Sequence, residues 1–239
     1  MSRKLGVYVA SYNQPVFLRT CLLQILHQSR LPDVVSIHEN VNERSYRWAV
    51  QDVIETLERE GNDVKVIYRH TPHSLPMPAF FIQPLQALLD EGCDLICKAD
   101  VDDLLYVSHF EQLEEMIFNP QLQEPDFDYA MNANSELLVL LNKGGYKYNP
   151  LVDFGTWNPT GAHPNNIVFN KAVAKEFVAQ MGFNRNPPNG YNDDVILANY
   201  VLPKFKGRKV HAQPTGCYVA HNKTASTSIW ADVPPPEVS

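Results

Sequence analysis

Lys98-Ala99-Asp100-Val101-Asp102-Asp103 directly follows the apolar run Leu95-Ile96-Cys97. Three carboxylates at the end of a buried strand are costly there unless a cation meets them. Residues two apart share one face of a strand, so Asp100 and Asp102 are expected to converge while Asp103 turns away. Paired carboxylates repel, and a divalent ion relieves that repulsion. Oxygen ligands of this kind favour Mg²⁺ or Mn²⁺, with a diphosphate completing the shell. The same residues also read as a strand ending in a solvated acidic turn, where aspartate is common.

A second acidic pair, Asp193-Asp194, precedes Val195-Ile196-Leu197. Asn192 or Asp193 can cap a helix there and favour its dipole, which leaves Asp194 in the first turn without a structural duty. An ionised carboxylate in that place can serve as a general base; capping alone is the simpler alternative. His221 closes a late strand and is followed by Asn222, Lys223 and Thr224. It reads either as a surface histidine or as a third metal ligand, with Lys223 reaching phosphate oxygens. Ala10-Ser11-Tyr12-Asn13 can flank a base or ribose, although Asn is also an ordinary turn residue. Tyr146, Tyr148, Phe154, Trp157, His163 and Tyr191 make the middle segment rich in aromatic rings. Such rings cover the apolar faces of sugars, or form a small core under a long loop.

The elements that must position these residues alternate through the first hundred positions. Strands are expected at 5–10, 34–38, 64–68 and 94–99, and helices at 16–28, 45–60 and 79–90, the second stopped by Gly61. Connections this short imply a parallel sheet with right-handed crossovers, whose ligands bind at the carboxyl ends of the strands. Asn13, Glu39 and Asp100 stand at such ends and are expected to line one crevice. Beyond residue 104 the alternation breaks. Helices are expected at 108–117, 171–181 and 193–201. Strand material is expected at 126–141 with a break near Asn134, and at 166–169, 209–211 and 217–220. Residues 231–239 are linker-like, which fits either a disordered end or a join to further chain.

With 239 residues, 44% hydrophobic and 20% charged, the chain can bury one large α/β core. A net charge of −7 and no basic cluster argue against a nucleic-acid partner. Neither a G-x-G-x-x-G nor a Walker-type loop occurs, which argues against dinucleotide cofactors and ATPase activity. No apolar run has transmembrane length, and Met1-Ser2-Arg3-Lys4 leads into a strand and not a signal peptide, so a cytoplasmic protein is expected. Peripheral contact with a membrane stays open. Cys21, Cys93, Cys97 and Cys217 form no C-x-x-C pair and read as reduced, buried thiols.

Together these features resemble the GT-A glycosyltransferases, especially the family 2 group, over about residues 5–228. Residues 7–13 resemble that family's opening strand and T-Y-N turn, and residues 22–28 its first helix. Asp100-Val101-Asp102-Asp103 is similar to its D-x-D-D metal signature, and Tyr218-Val219-Ala220-His221 resembles its late strand with a histidine at the metal. Asp193-Asp194 stands where the family shows Glu-Asp, whose second residue is the base. Glu39-Asn40-Val41-Asn42 replaces an Asp-Asp-Gly-Ser turn, and Lys98-Ala99 replaces an apolar pair.

The resemblance implies a Rossmann-like GT-A fold with a mostly parallel central sheet flanked by helices. It implies a single domain over 1–230, with a nucleotide-sugar half at 1–104 and an acceptor half at 105–230. The expected activity is metal-dependent transfer of a sugar from a nucleotide-diphosphate donor, UDP-linked, to a hydroxyl of a glycan or other acceptor, inverting by single displacement. Asp194 is the expected base. Asp102, Asp103 and His221 would hold Mn²⁺ or Mg²⁺, and Ser11, Tyr12, Asn13, Glu39, Asp100 and Lys223 the donor. Trp157, His163, Tyr191 and Asp193 would meet the acceptor. A retaining transferase and a non-catalytic carbohydrate-binding or assembly module of a larger polymerase are the alternatives.

Overall fold

The computed structural model describes residues 3–12, 14–40, 47–60, 63–71, 77–117, 127–140, 146–154, 160, 162–183 and 193–220. The first half runs β1 (Leu5–Tyr12), α1 (Pro15–Leu26), β2 (Val34–Asn40), α2 (Arg47–Glu60), β3 (Lys65–Thr71), α3 (Met77–Asp90) and β4 (Leu95–Asp100). Then follow β5 (Leu104–Leu105), α4 (His109–Ile117), β6 (Tyr129–Asn132), β7 (Asn134–Leu140) and β8 (Tyr146–Asp153). A 3₁₀ turn at Pro164–Asn166 leads into β9 (Ile167–Asn170) and α5 (Lys171–Phe183). The chain continues through α6 (Asp193–Ile196), a π turn at Leu197–Val201, a 3₁₀ turn at Leu202–Lys204, β10 (Gly207–Val210) and β11 (Gly216–Ala220).

Seven strands make the main sheet in the order β10-β6-β9-β4-β1-β2-β3. β4, β1, β2 and β3 are parallel, as the short crossovers require. β9 runs antiparallel between β4 and β6, and β10 pairs parallel with β6. The alternation of side chains sorts these strands into two cores. Val7, Val9, Ile37 and Ala99 face α1, α2 and α4, where Leu18, Cys21, Leu22 and Ile25 give α1 its buried stripe. Tyr8, Ala10 and Ile96 face α3 and α5 through Phe81, Leu85, Leu88 and Phe177. The turn that follows α3 contains Gly92, whose φ of 74° suits a residue without a Cβ.

A smaller sheet, β5-β11-β7-β8, stands beside the main one. β5 and β8 are not anticipated by the sequence pattern. β8 carries Asn149 and Pro150, residues that an edge strand tolerates. The strand material expected over 126–141 with a break near Asn134 is two strands, one in each sheet, that separate at Ala133. There Asn132 Oδ1 accepts from the amides of Asn134 and Ala212 and ends the first ladder. The helix expected over 193–201 is a single α turn followed by a π turn. Among the described residues no helix is long and apolar enough to cross a membrane.

Candidate active site

β4 ends at Asp100, and with it ends the two-residue alternation. The next residues form a turn in which the Asp103 amide donates to the Asp100 carbonyl at 3.4 Å. That turn brings Asp103 back beneath Asp100, so the expectation that Asp103 points away is corrected: Asp103 is 4% exposed. Its Oδ1 accepts from the Val219 amide on β11 at 2.9 Å and its Oδ2 from Asn165 Nδ2 at 2.7 Å. Burial, with Asp100 and Asp102 nearby, raises its carboxyl well above the usual range. Asp102 is half-buried.

His163 caps the 3₁₀ turn before β9 and is buried beside Phe154 and Tyr218. Its Nε2 stands 3.5 Å from Asp103 Oδ2, while Nδ1 accepts from the Asn165 amide at 3.4 Å. Burial, with Lys98 and His109 nearby, lowers its pKa to about 3, so the ring is neutral. The acceptor role expected for His163 therefore meets a different placement, inside the acidic cluster. Asn165 Oδ1 also accepts from the Asp100 amide at 3.0 Å. Buried His109 supports that residue from behind, its Nε2 2.9 Å from the Asn165 carbonyl and its Nδ1 2.8 Å from Thr215 Oγ1.

Lys98 shares a rung with Tyr8 and points to the α3 side of the sheet. Its Nζ lies 2.9 Å from Asp193 Oδ2 and 3.1 Å from Asp100 Oδ1, with the Phe81 ring centroid 4.7 Å away. Burial works against the charge of Lys98, but Asp100, Asp193 and Asp194 outweigh it and hold its pKa well above the ordinary value. Asp193 is buried against this ammonium. A buried lysine demands a carboxylate beside it, and Asp193, expected at the acceptor, supplies one. Asp194, next in the chain, is half-buried.

Glu39 and Asp100 stand at the carboxyl ends of their strands, on opposite faces of the sheet by register. Parallel register places Asp100 beside Ala10 and His38, and Glu39 beside Ser11 and His70. Glu39 accepts a hydrogen bond from the Tyr68 hydroxyl. On the same rung, Ser11 Oγ and His70 Nε2 are buried without a hydrogen-bond partner. Tyr12 is 45% exposed at the end of β1. Tyr146 and Tyr148 are exposed on β8, whereas Phe154 is buried, so the aromatic segment divides into a surface strand and a small core. Asn13, Trp157, Tyr191, His221 and Lys223 lie outside the described residues.

No family model and no curated relative matches the chain. Solved structures do. S. aureus TarS 1–349 in complex with UDP-GlcNAc aligns at 12% identity and TM-score 0.56, over 94% of this chain and 61% of that one. The mannosyltransferase PcManGT from Pyrobaculum calidifontis, in complex with GDP-Man and Mn²⁺, aligns at 13% identity and TM-score 0.59, over 96% and 60%. This chain has the GT-A glycosyltransferase fold. It spans about three-fifths of the length of these structures, 61% and 60%.

In this GT-A chain the residues fit a hard divalent cation. Ligand atoms of Asp100, Asp103 and His163 lie within 4.8 Å of one another, and the imidazole is neutral, as a ligand must be. Asp100, Asp193 and Asp194 face the Lys98 ammonium, while Asp100 and Asp102 stand near the buried Asp103 carboxyl. Lys98, Asn165, His109 and Thr215 are the residues that sequence reasoning missed as parts of the site. Lys98 left one signal, a lysine inside an otherwise apolar strand.

Proposed function

We propose that this chain transfers a sugar from a nucleoside-diphosphate donor to an acceptor hydroxyl, with inversion by single displacement. The observation that carries this reading is the bridge from Asp100 through Lys98 to Asp193, the residue next to Asp194. Asp102 and Asp103, with Asp100 and His163, would hold Mn²⁺ or Mg²⁺. When bound, that cation supplies positive charge to the departing diphosphate.

The chain's own residues do the rest. Ser11, Tyr12 and Glu39 would bind the nucleoside at the carboxyl edge of β1 and β2; the buried, unpartnered Ser11 Oγ and His70 Nε2 support a polar ligand at that edge. Asp194 would accept the acceptor's proton as its oxygen attacks the anomeric carbon opposite the diphosphate. Trp157 and Tyr191 would shape the acceptor pocket, with Asn13 and Lys223 added to the donor side and His221 to the metal. A UDP-linked sugar is the first donor to test and a GDP-linked one the second; TarS and PcManGT are solved with UDP-GlcNAc and GDP-Man. Four buried, unpaired cysteines fit a reducing compartment such as the cytoplasm.

The test is a thermal-shift panel of UDP, GDP, CDP and ADP with and without Mn²⁺. The expected result is a rise in Tm for one nucleotide that depends on the metal. No rise for any of them, with metal present, would sink the reading.

A further inference from the structure

The role of Lys98 extends beyond charge balance. We propose that Lys98 is a positioning residue for the transfer reaction: its ammonium ties the acidic turn to α6 and so fixes where Asp194 stands. This rests on the transferase reading above. Nζ is shared between carboxylates from two elements, Asp100 at the end of β4 and Asp193 at the start of α6, 95 positions beyond Lys98. α6 is four residues long and packs on α3 and α5. The Lys98–Asp193 pair is a direct polar link from it to the main sheet.

Stability alone does not account for such a lysine. A buried ion pair can usually be replaced by apolar side chains of similar volume with little loss, or with gain, in fold stability. The surroundings here, Phe81 and Tyr8, already suit an apolar residue. What an apolar residue cannot supply is a fixed distance between two carboxylates that would otherwise repel. With Lys98 present, Asp100 and Asp193 face one ammonium, and Asp194 follows Asp193 with no intervening residue to absorb a displacement. A misplacement of about 1 Å at a reacting group can cost on the order of 100-fold in rate.

The experiment compares the parent with Lys98→Met, Lys98→Arg and the double variant Lys98→Met/Asp193→Asn. Two quantities are read: hydrogen exchange of the amides at 193–201, and kcat with the donor identified by the thermal-shift panel. Lys98→Met is expected to speed exchange at 193–201 by about tenfold or more. Its kcat is expected to fall by about 100-fold while the metal-dependent nucleotide shift is retained. Lys98→Arg, which keeps a cation between the carboxylates, is expected to restore part of both. The double variant leaves no unpaired buried charge at Asp193, so it should fold even if Lys98→Met does not. It should nevertheless keep the fast exchange and the low kcat. Recovery of parental kcat in the double variant, or unchanged exchange in both variants, would overturn the proposal and leave Lys98 a counter-ion. A parent that transfers no sugar from any donor overturns the transferase reading and the catalytic part of this one; exchange then still reports whether the tether exists.

Discussion

Asn165 donates from Nδ2 to Asp103 Oδ2 at 2.7 Å, joining two buried side chains 62 positions apart. The other end of the same amide accepts from the Asp100 backbone, so one side chain holds the first and last carboxylate residues of the acidic turn. Asn165→Ala would remove a donor from a buried carboxylate and an acceptor from a strand-end amide. Leaving such groups unsatisfied costs about 2–4 kcal/mol in sum. Asn165→Asp should be worse, because it sets a second carboxylate against one whose pKa is already raised. Urea melts measure both. An Asn165→Ala midpoint equal to the parent's would remove the clamp from the account.

Acid should destabilise the fold through His109. Burial lowers its pKa from 6.5 to about 4, despite hydrogen bonds to Asn165 and Thr215. Between those values the unfolded chain takes up a proton that the folded one does not, so stability falls as the pH drops. Well inside that window the loss approaches about 1.4 kcal/mol per pH unit for this group. Below about pH 4 both forms are protonated and the slope from His109 ends. His109→Gln removes the titration, so the pH slope of unfolding free energy between pH 6 and 4.5 should fall by nearly one proton. An unchanged slope would assign the acid sensitivity elsewhere.

Much of the scaffold was legible because its signals are local. Leu18, Cys21, Leu22 and Ile25 show a helical stripe, and the runs at β1, β2 and β4 are apolar enough to be fully buried. The smaller sheet was not legible, because β5 is two residues long and β8 is a polar edge strand. At the site, the acidic turn and Asp193-Asp194 stood out by residue type. Their placement did not, because the strand rule stops at Asp100 and a turn then brings Asp103 back into the core. Asn165, His109 and Thr215 meet from three separate segments, and no spacing in the sequence records that meeting.

Gly216 pairs with Leu105 across β11 and β5. A Cβ there would lie 2.7 Å from the Leu104 carbonyl oxygen, a backbone atom that cannot swing aside. β5 begins directly after Asp103, and Asp103 is bonded to Val219 farther along β11. Gly216→Ala should therefore destabilise by about 1–3 kcal/mol and abolish the metal-dependent nucleotide shift. Gly182→Ala is the control: on α5 its Cβ meets nothing within 4 Å, and a helical Gly→Ala change gains up to about 1 kcal/mol. Equal melts for the two variants would contradict the close approach at β5.

The four cysteines should be silent toward a thiol reagent at pH 8 in the folded protein. All are buried. Burial raises Cys93 to about 11 and Cys217 to about 12, and pushes Cys21 and Cys97 higher still. Thiolate, the reactive form, is scarce in each. Labelling counted by mass should show none in buffer within minutes and four in denaturant. Rapid labelling of a single site would show that one of these thiols is more open than its burial indicates.

Asp194→Asn tests the base directly. The substitution keeps the side chain's shape and its neighbour's pair with Lys98, but the amide cannot take a proton from an acceptor hydroxyl. A positioned general base contributes about 10²–10⁴-fold, so kcat should fall by that order while the metal-dependent nucleotide shift stays at the parental value. Asp193→Asn has a different signature. It leaves Lys98 with Asp100 and loosens α6, so it should lower stability as well as turnover. If Asp194→Asn retained turnover within a few-fold of the parent, the proton would have to leave through another group. If the nucleotide shift vanished together with turnover, Asp194 would belong to the donor side, since a base acting on the acceptor is not needed to bind the nucleotide.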